Sequence, residues 1–512
     1  MSISLFKSVS LILWLTILTP CCVSLGAESD SGSRDGTLSR NSLSLDDEPV
    51  ILARYRTKLD NLMATCRELD MSLEAEVTET SLRPVGLYGV YILDLKAAPV
   101  PESLPPDAKD LQKKWYAALR RLQQTTATAL TSLAQLAADK GQGYDAMRLV
   151  FQALEIDPNC EPARRILGFE LHQGRWRSEW ERGQLAKGAV DHPVFGWIPA
   201  EQVEEYEAGL RSQSASDKPN SDRLAQDSSR NRLETEHFSL LCSGDRGEEV
   251  RLSRLLEDYF QAWFQLFYPF IGSEQYWSNY VAGRQKLPRS KMKVVVFANR
   301  AEYLKELGKS EPNLEYSHGG YFPGKECIYV YWPGPEEETH LDTMLVHEAT
   351  HQLFQEYRYG RGQTRKAKRQ MAGQRDNFWM VEGIATYAET FRRSGRFFQL
   401  GGADTWRFQR AKERVSEPGG YLPLQRYVRL SLNEFQTHDN IPMLYTQSTG
   451  LTVFFLHGKD GKYRRKFLDC LRLLYDDNAG PDSLAETLQT DLTTLDEEYK
   501  QFMLAAPVHK WP

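Results

Sequence analysis

The chain has no cysteine framework, no excess of positive charge and one short apolar run, and each absence removes a class of protein. Seven cysteines occur in 512 residues, two of them, Cys21 and Cys22, near the N-terminus. The other five, Cys66, Cys160, Cys242, Cys327 and Cys470, are scattered and odd in number, which speaks against a disulfide scaffold or a zinc knot. One or two pairs at most would form in an oxidising compartment, and buried free thiols are the plainer expectation. A net charge of −6 leaves no basic bias, so nucleic acid is not indicated as a partner. The marked apolar stretch, Val9 to Leu18 after Lys7, is short for a membrane span and runs into small and polar residues. It predicts a signal peptide over 1–27, cleaved near Gly26 or Ala27, and so a secreted or periplasmic protein with no transmembrane span after cleavage. A lipid anchor on Cys21 is the weaker alternative, because Pro20 precedes it.

What is present divides the chain. Residues 28–47 are rich in Ser, Asp and Gly and read as disordered. A helical region follows over 48–200: helical spacing from Pro49 to Met71, a proline-rich connector from Pro99 to Pro106, and a long helix from Asp107 to Asp139. Tyr144 to Asn159, with small residues alternating with large ones and a stop at Asp157-Pro158, resembles one tetratricopeptide unit. Such a unit is either a binding surface for a protein partner or a scaffold packed on its neighbours. Residues 201–235, polar at Ser212–Arg232, read as a flexible linker. The remainder, 236–512, opens with a strand at His237–Cys242 and an aromatic helix from Leu252 to Phe270. Strands at Lys291–Phe297 and Cys327–Trp332 follow, with a helix at Arg300–Leu307 between them. The fold class expected is α+β, mostly helical with a small mixed sheet.

Histidine is scarce, ten in all, yet two stand four residues apart in His347-Glu348-Ala349-Thr350-His351. The segment Leu341 to Tyr357 has helical character, with Thr339 and Asp342 as a capping pair. Residues four apart share a helix face, so both imidazoles can take adjacent corners of a zinc tetrahedron, with Glu348 beside the open position. A catalytic zinc needs a third protein ligand. Downstream, Trp379-Met-Val-Glu382-Gly383-Ile-Ala385-Thr-Tyr387-Ala-Glu389 reads as a helix capped by Asp376 or Asn377. Glu382 is an isolated acid on an apolar, small-residue turn, and Gly383 suggests close helix approach. Glu356 points away from the histidines. Glu389, two turns beyond Glu382 and about 10 Å further along the axis, is not expected to reach the metal or to matter much for its affinity.

H-E-x-x-H followed by W-x-x-E-G-x-A-x-Y resembles the gluzincin metallopeptidases, and the layout is similar to the bacterial peptidase-MA-like domains within that group. The resemblance covers the chain from about His237 onward. It implies Zn2+ held by His347, His351 and Glu382, with Glu348 as general base. Leu444-Tyr445-Thr446-Gln447-Ser448 resembles the segment that supplies a tyrosine to the oxyanion, although Gln447 and Ser448 replace the usual Lys and Gly. Tyr445 is therefore either that donor or a helix-packing residue. The aminopeptidase G-x-M-E-N strand has no counterpart; Gly319–Pro323 stands in its place, which speaks against amine-directed trimming.

The function implied is hydrolysis of peptide bonds in a peptide or protein substrate. Two other readings differ in class: a protein-binding module with a vestigial peptidase domain, and a zinc hydrolase of a non-peptide amide bond such as a cell-wall amide. Tyr357–Arg375 carries seven basic residues and no acid between the two ligand helices, so it is either a solvated loop or an attractor of acidic substrate.

Overall fold

The aromatic segment after Cys242 forms a helix, Arg246–Ile271, whose C-terminal half is almost entirely buried, and a five-stranded sheet lies against its start. The computed structural model describes residues 43–80, 87–214, 231–288, 291–308, 319–334, 340–358 and 371–509. Over these the chain is α+β and mostly helical, as its periodicities predict. In spatial order the sheet runs Asn231–Glu234, Phe238–Cys242, Met292–Phe297, Cys327–Tyr331, Gly319–Phe322. Its three central strands are parallel and both edges antiparallel. The helix Arg300–Leu307 makes the crossover between two of the parallel strands and packs Tyr303 and Leu307 on Phe297 and Tyr331.

Several boundaries differ from the sequence reading. The expected signal segment, 1–27, lies outside the described residues, as does most of 28–47. The end of that second segment is ordered: Ser44 and Asp47 form a capping box around a turn at Leu45–Asp47, which leads into the helix Glu48–Glu68 with Pro49 in its first turn. The expected linker, 201–235, contains the helix Val203–Ser214 and the sheet strand Asn231–Glu234, while 215–230 lie outside the described residues.

The helical region over 48–200 is not a separate body either. Residues Ser44–Pro512 form one compact unit. Gly89–Leu93 pairs antiparallel with Phe397–Gly401, some three hundred residues later, in a second, three-stranded sheet. The tetratricopeptide-like segment is the helix Gly143–Ile156, packed on Asp110–Asp139. The next helix, Glu161–Ile166, is six residues long and no second unit follows it among the described residues. Nor does Gly143–Ile156 offer an open face. Ten of its residues are buried, and its start lies against Glu274–Val281. A Cβ at Gly143 would sit 2.0 Å from the Glu274 carbonyl oxygen, so only glycine fits that approach. The Tyr144 hydroxyl donates to the Gly272 carbonyl at 2.9 Å, and the Tyr268 hydroxyl to the Tyr144 carbonyl at 2.8 Å. The packed-scaffold reading of this segment is the one the contacts match. The five cysteines after the N-terminal segment are all buried free thiols. Among the described residues no helix is long and apolar enough to cross a membrane.

The helix Ile441–His457 runs through the core of the C-terminal part. At its end His457 is half-buried, with the Tyr387 hydroxyl 2.8 Å from Nε2 and the Arg464 guanidinium 3.4 Å from Nδ1. Burial, aided by the Arg464 charge, pulls its pKa down to about 3. In the unfolded chain a histidine titrates near 6.5. The unfolded state therefore holds the extra proton between those values, and stability is lost as pH falls from about 6.5 towards 3, by up to about 1.4 kcal/mol per pH unit. Denaturant titrations across that range should show a shallower loss for His457→Gln than for the parent chain. Parallel profiles would show that this histidine does not titrate on unfolding.

Candidate metal centre

The two histidines sit on the helix Leu341–Glu356, whose orientation is fixed from two sides. Gln352 donates to the Lys293 carbonyl of the sheet at 3.1 Å, and Thr350 shares a 2.6 Å hydrogen bond with the buried Tyr259 hydroxyl. Phe354 packs edge-on among Trp263, Phe267 and Phe270 of the aromatic helix. Thr339, expected to open this helix, lies outside the described residues. The N-cap is His340, whose side chain makes no capping bond, and Asp342 stands in the first turn facing the helix dipole.

The second helix, Phe378–Ala388, is buried at every residue. Asn377, one of the two residues offered as cap, is its N-cap, in a left-handed conformation with φ 55° and with no capping bond from its side chain. Its side chain instead accepts from the Trp379 indole and donates to the Gly480 carbonyl. Gly383 serves a close approach, to the helix Ile441–His457 rather than to the histidines. A Cβ there would lie 2.5 Å from Thr452 Oγ1 and 2.8 Å from the Ser448 carbonyl oxygen. That approach brings Tyr445 near enough to Glu382 for the carboxylate to raise the phenol's pKa.

The structure brings together the three residues singled out in the sequence as metal ligands. Ligand atoms of His347, His351 and Glu382 lie within 4.8 Å of one another. The two Nε2 atoms are 3.1 Å apart, and Glu382 Oε2 stands 3.5 Å from His347 Nε2 and 3.9 Å from His351 Nε2. Donor atoms on a tetrahedral zinc with bonds of about 2.0–2.1 Å are separated by about 3.4 Å, so the spacing fits that ion. The hydrogen bonding fits as well. Glu382 is 5 % exposed, yet its Oε2 has no hydrogen-bond partner. A carboxylate oxygen left in that state is costly unless a cation faces it. Glu348, one residue after His347, accepts the backbone N–H of Tyr321 at 2.7 Å, which ties it to the edge strand Gly319–Phe322.

The charges are strongly coupled. Burial opposes a charge on His347, but the Glu382 and Glu389 carboxylates outweigh it and hold its pKa well above the ordinary value. At His351 burial prevails and lowers the pKa. Burial also disfavours the Glu382 charge, yet the two imidazoles draw its carboxyl below the usual range. The same carboxylates that would face a metal favour a proton on His347, so metal binding would compete with protonation. Burial and the Glu382 carboxylate push the Tyr445 phenol well above its ordinary value, keeping it a protonated donor.

Glu389 is not in the ligand group, in line with its place two turns along, but its Oε1 lies 2.9 Å from His347 Nδ1, a contact the sequence reading does not include. Arg407, on the helix Trp406–Ser416, grips the same carboxylate through Nε at 2.6 Å and Nη2 at 3.1 Å. The axial offset between the acids is bridged by the imidazole, whose two nitrogens face carboxylates two helical turns apart. The seven-residue spacing from Glu382 was the available signal. It indicates a shared face, and the reach of an imidazole between two acids was the missing consideration. Nothing in the sequence marked Arg407.

Among the described residues one other acid–histidine group, Glu236, His237 and Glu257, is close enough to hold a metal. Its charge is already compensated. Glu257 accepts both the backbone N–H and Nδ1 of His237, at 2.7 and 2.8 Å, and the Lys96 ammonium stands 3.7 Å from Glu236. Within the basic loop, 359–370 lie outside the described residues, while Arg358 is buried and donates to the Tyr475 carbonyl. Comparison with protein-family models found no match, and comparison with curated proteins found none.

Glu382→Ala should weaken zinc affinity most, because it removes a ligand atom. Glu389→Ala should weaken it by roughly 10–100-fold, the usual effect of losing a carboxylate behind a metal-bound histidine. Competition against a chelator measures both. An unchanged affinity in Glu389→Ala would show that this contact does not position His347, and a larger loss there than in Glu382→Ala would reverse the ligand assignment.

Proposed function

We propose that the chain is a zinc-dependent metallopeptidase that hydrolyses peptide bonds in a peptide or protein substrate, exported to the periplasm or beyond by its N-terminal segment. The observation that carries the reading is the buried, unpartnered Glu382 oxygen facing two Nε2 atoms at ligand spacing, with Glu348 on the adjacent rung of the helix. The likeness of the H-E-x-x-H and W-x-x-E-G segments to gluzincins supports the same conclusion, and the Val9–Leu18 apolar run supports export.

A bound zinc supplies Lewis acidity, polarising the scissile carbonyl and making water easier to deprotonate. The protein supplies the rest. Glu348 takes the proton from the attacking water and delivers it to the departing amine nitrogen. The Tyr321 amide holds Glu348 Oε2 in place and leaves Oε1 for that exchange. Tyr445, kept protonated by burial beside Glu382, donates its hydroxyl hydrogen to the developing oxyanion. Glu389 and Arg407 hold the His347 ring with Nε2 directed inward.

Glu348→Gln preserves shape and removes the proton acceptor. It should retain zinc while turnover of a broad peptide library falls about 10²–10⁴-fold. Undiminished hydrolysis by this variant would exclude Glu348 as the base.

A further inference from the structure

A cleft of about 570 Å³ opens beside the metal centre, between the first half of the aromatic helix, the start of the histidine helix and the strands Arg392–Ser394 and Phe397–Gly401. Four arginines line it: Arg251, Arg254, Arg392 and Arg393. Their side chains are 44–50 % exposed, so their donors reach the cleft. Each is oriented by an ion pair. Arg251 meets Asp342 at 2.6 Å, Arg254 meets Asp191 at 3.2 Å, Arg392 meets Asp404 at 2.8 Å, and Arg393 bridges Asp94 and Asp258 at 2.7 and 2.6 Å.

These pairs fix the guanidiniums without exhausting them. An arginine carries five N–H donors in a planar fork. Arg251 uses Nε and Nη1, and Arg392 uses Nε and Nη2. Nη2 of the first and Nη1 of the second are left for a ligand. The lining carboxylates are Asp258, Asp342 and Glu389, and Glu389 is engaged by His347 and Arg407. The partners Glu248, Asp342, Asp191, Asp404, Asp94 and Asp258 balance the arginines' charge, so an anion would be held by the spare N–H donors and not by an excess of positive charge. The remaining surface is apolar, with Leu255, Val346, Phe391 and Phe398. An anionic group attached to an apolar body matches this wall.

The cleft also touches the centre itself. Thr343 lines it one turn before His347 on the same helix face, and Glu389 is shared by both. We propose that this cleft is an anion-recognising subsite of the same centre, selecting substrates that carry a carboxylate or phosphate group close to the scissile bond. The inference rests on the peptidase reading for its meaning as a substrate subsite, but the binding it requires is measurable without turnover.

The test uses the full mature chain carrying Glu348→Gln, loaded with zinc, and three fluorescent peptides of one sequence that differ at a single position: Glu, Gln or phosphoserine. Anisotropy titrations should give a Kd at least about 10-fold lower for an anionic peptide than for the Gln peptide, with the difference shrinking as salt rises. In Arg251→Gln/Arg392→Gln the preference should fall towards unity, while the paired Lys variants retain part of it. Unfolding midpoints and zinc content of each variant control for misfolding. The order of the Glu and phosphoserine peptides identifies the anion. Equal affinity for all three peptides, or a preference undiminished in the Gln variants, overturns the subsite. Absence of zinc in the same samples counts against the peptidase reading alone, because the charge preference is read separately.

Discussion

A carboxylate buried without a hydrogen-bond partner on one oxygen, opposite two imidazoles, is the constraint on which the centre depends. Leaving such an oxygen unsatisfied costs about 1–3 kcal/mol or more, and a charged one costs more than a neutral one. The surrounding fold gives that oxygen of Glu382 no hydrogen-bond donor, and the two imidazoles face it. The arrangement becomes favourable when a cation accepts the His347, His351 and Glu382 atoms together. Contrast the Glu236–His237–Glu257 group, where the histidine amide, the ring and Lys96 already answer the carboxylates. The two clusters have similar composition, but only in the first does a buried carboxylate oxygen stand without a hydrogen-bond partner.

The rest of the structure reads as support for that geometry at increasing distance. Glu389 and Arg407 orient the far side of the His347 ring, and the Tyr321 amide orients Glu348. Gly383 lets the helix Ile441–His457 close onto Phe378–Ala388, which carries Tyr445 to Glu382. The histidine helix is clamped by the sheet through Gln352 and by the aromatic helix through Phe354 and Thr350. The N-terminal helices complete the same unit, because Gly89–Leu93 joins the sheet that ends beneath the arginine-lined cleft. Removal of the N-terminal half would therefore expose the core rather than free a domain.

The site was legible in the sequence because its chemistry is local. Two histidines four apart declare a helix face, and an isolated acid among apolar residues declares a burial that needs an explanation. The helix Arg300–Leu307 and the strands near Met292–Phe297 and Cys327–Tyr331 were legible for the same reason, through short-range periodicity and β-branched composition. What escaped were relations between distant segments. The pairing of Gly89–Leu93 with Phe397–Gly401 has no local signature, so the chain appeared to divide at a linker that is part helix and part strand. Gly383 announced a close approach without naming its partner. Glu389 was placed on the correct face, but its contact with His347 depends on how two helices lie against each other, which neither helix encodes alone.

The central claim is that three side chains on two helices hold one zinc ion. Native mass spectrometry of the mature chain after gentle purification and zinc reconstitution tests it most directly. The account predicts one zinc per chain, and none in His347→Ala or His351→Ala under the same conditions, because two remaining protein ligands seldom hold a catalytic zinc. A parent chain that takes up no stoichiometric zinc, or histidine variants that retain it in full, would contradict the account.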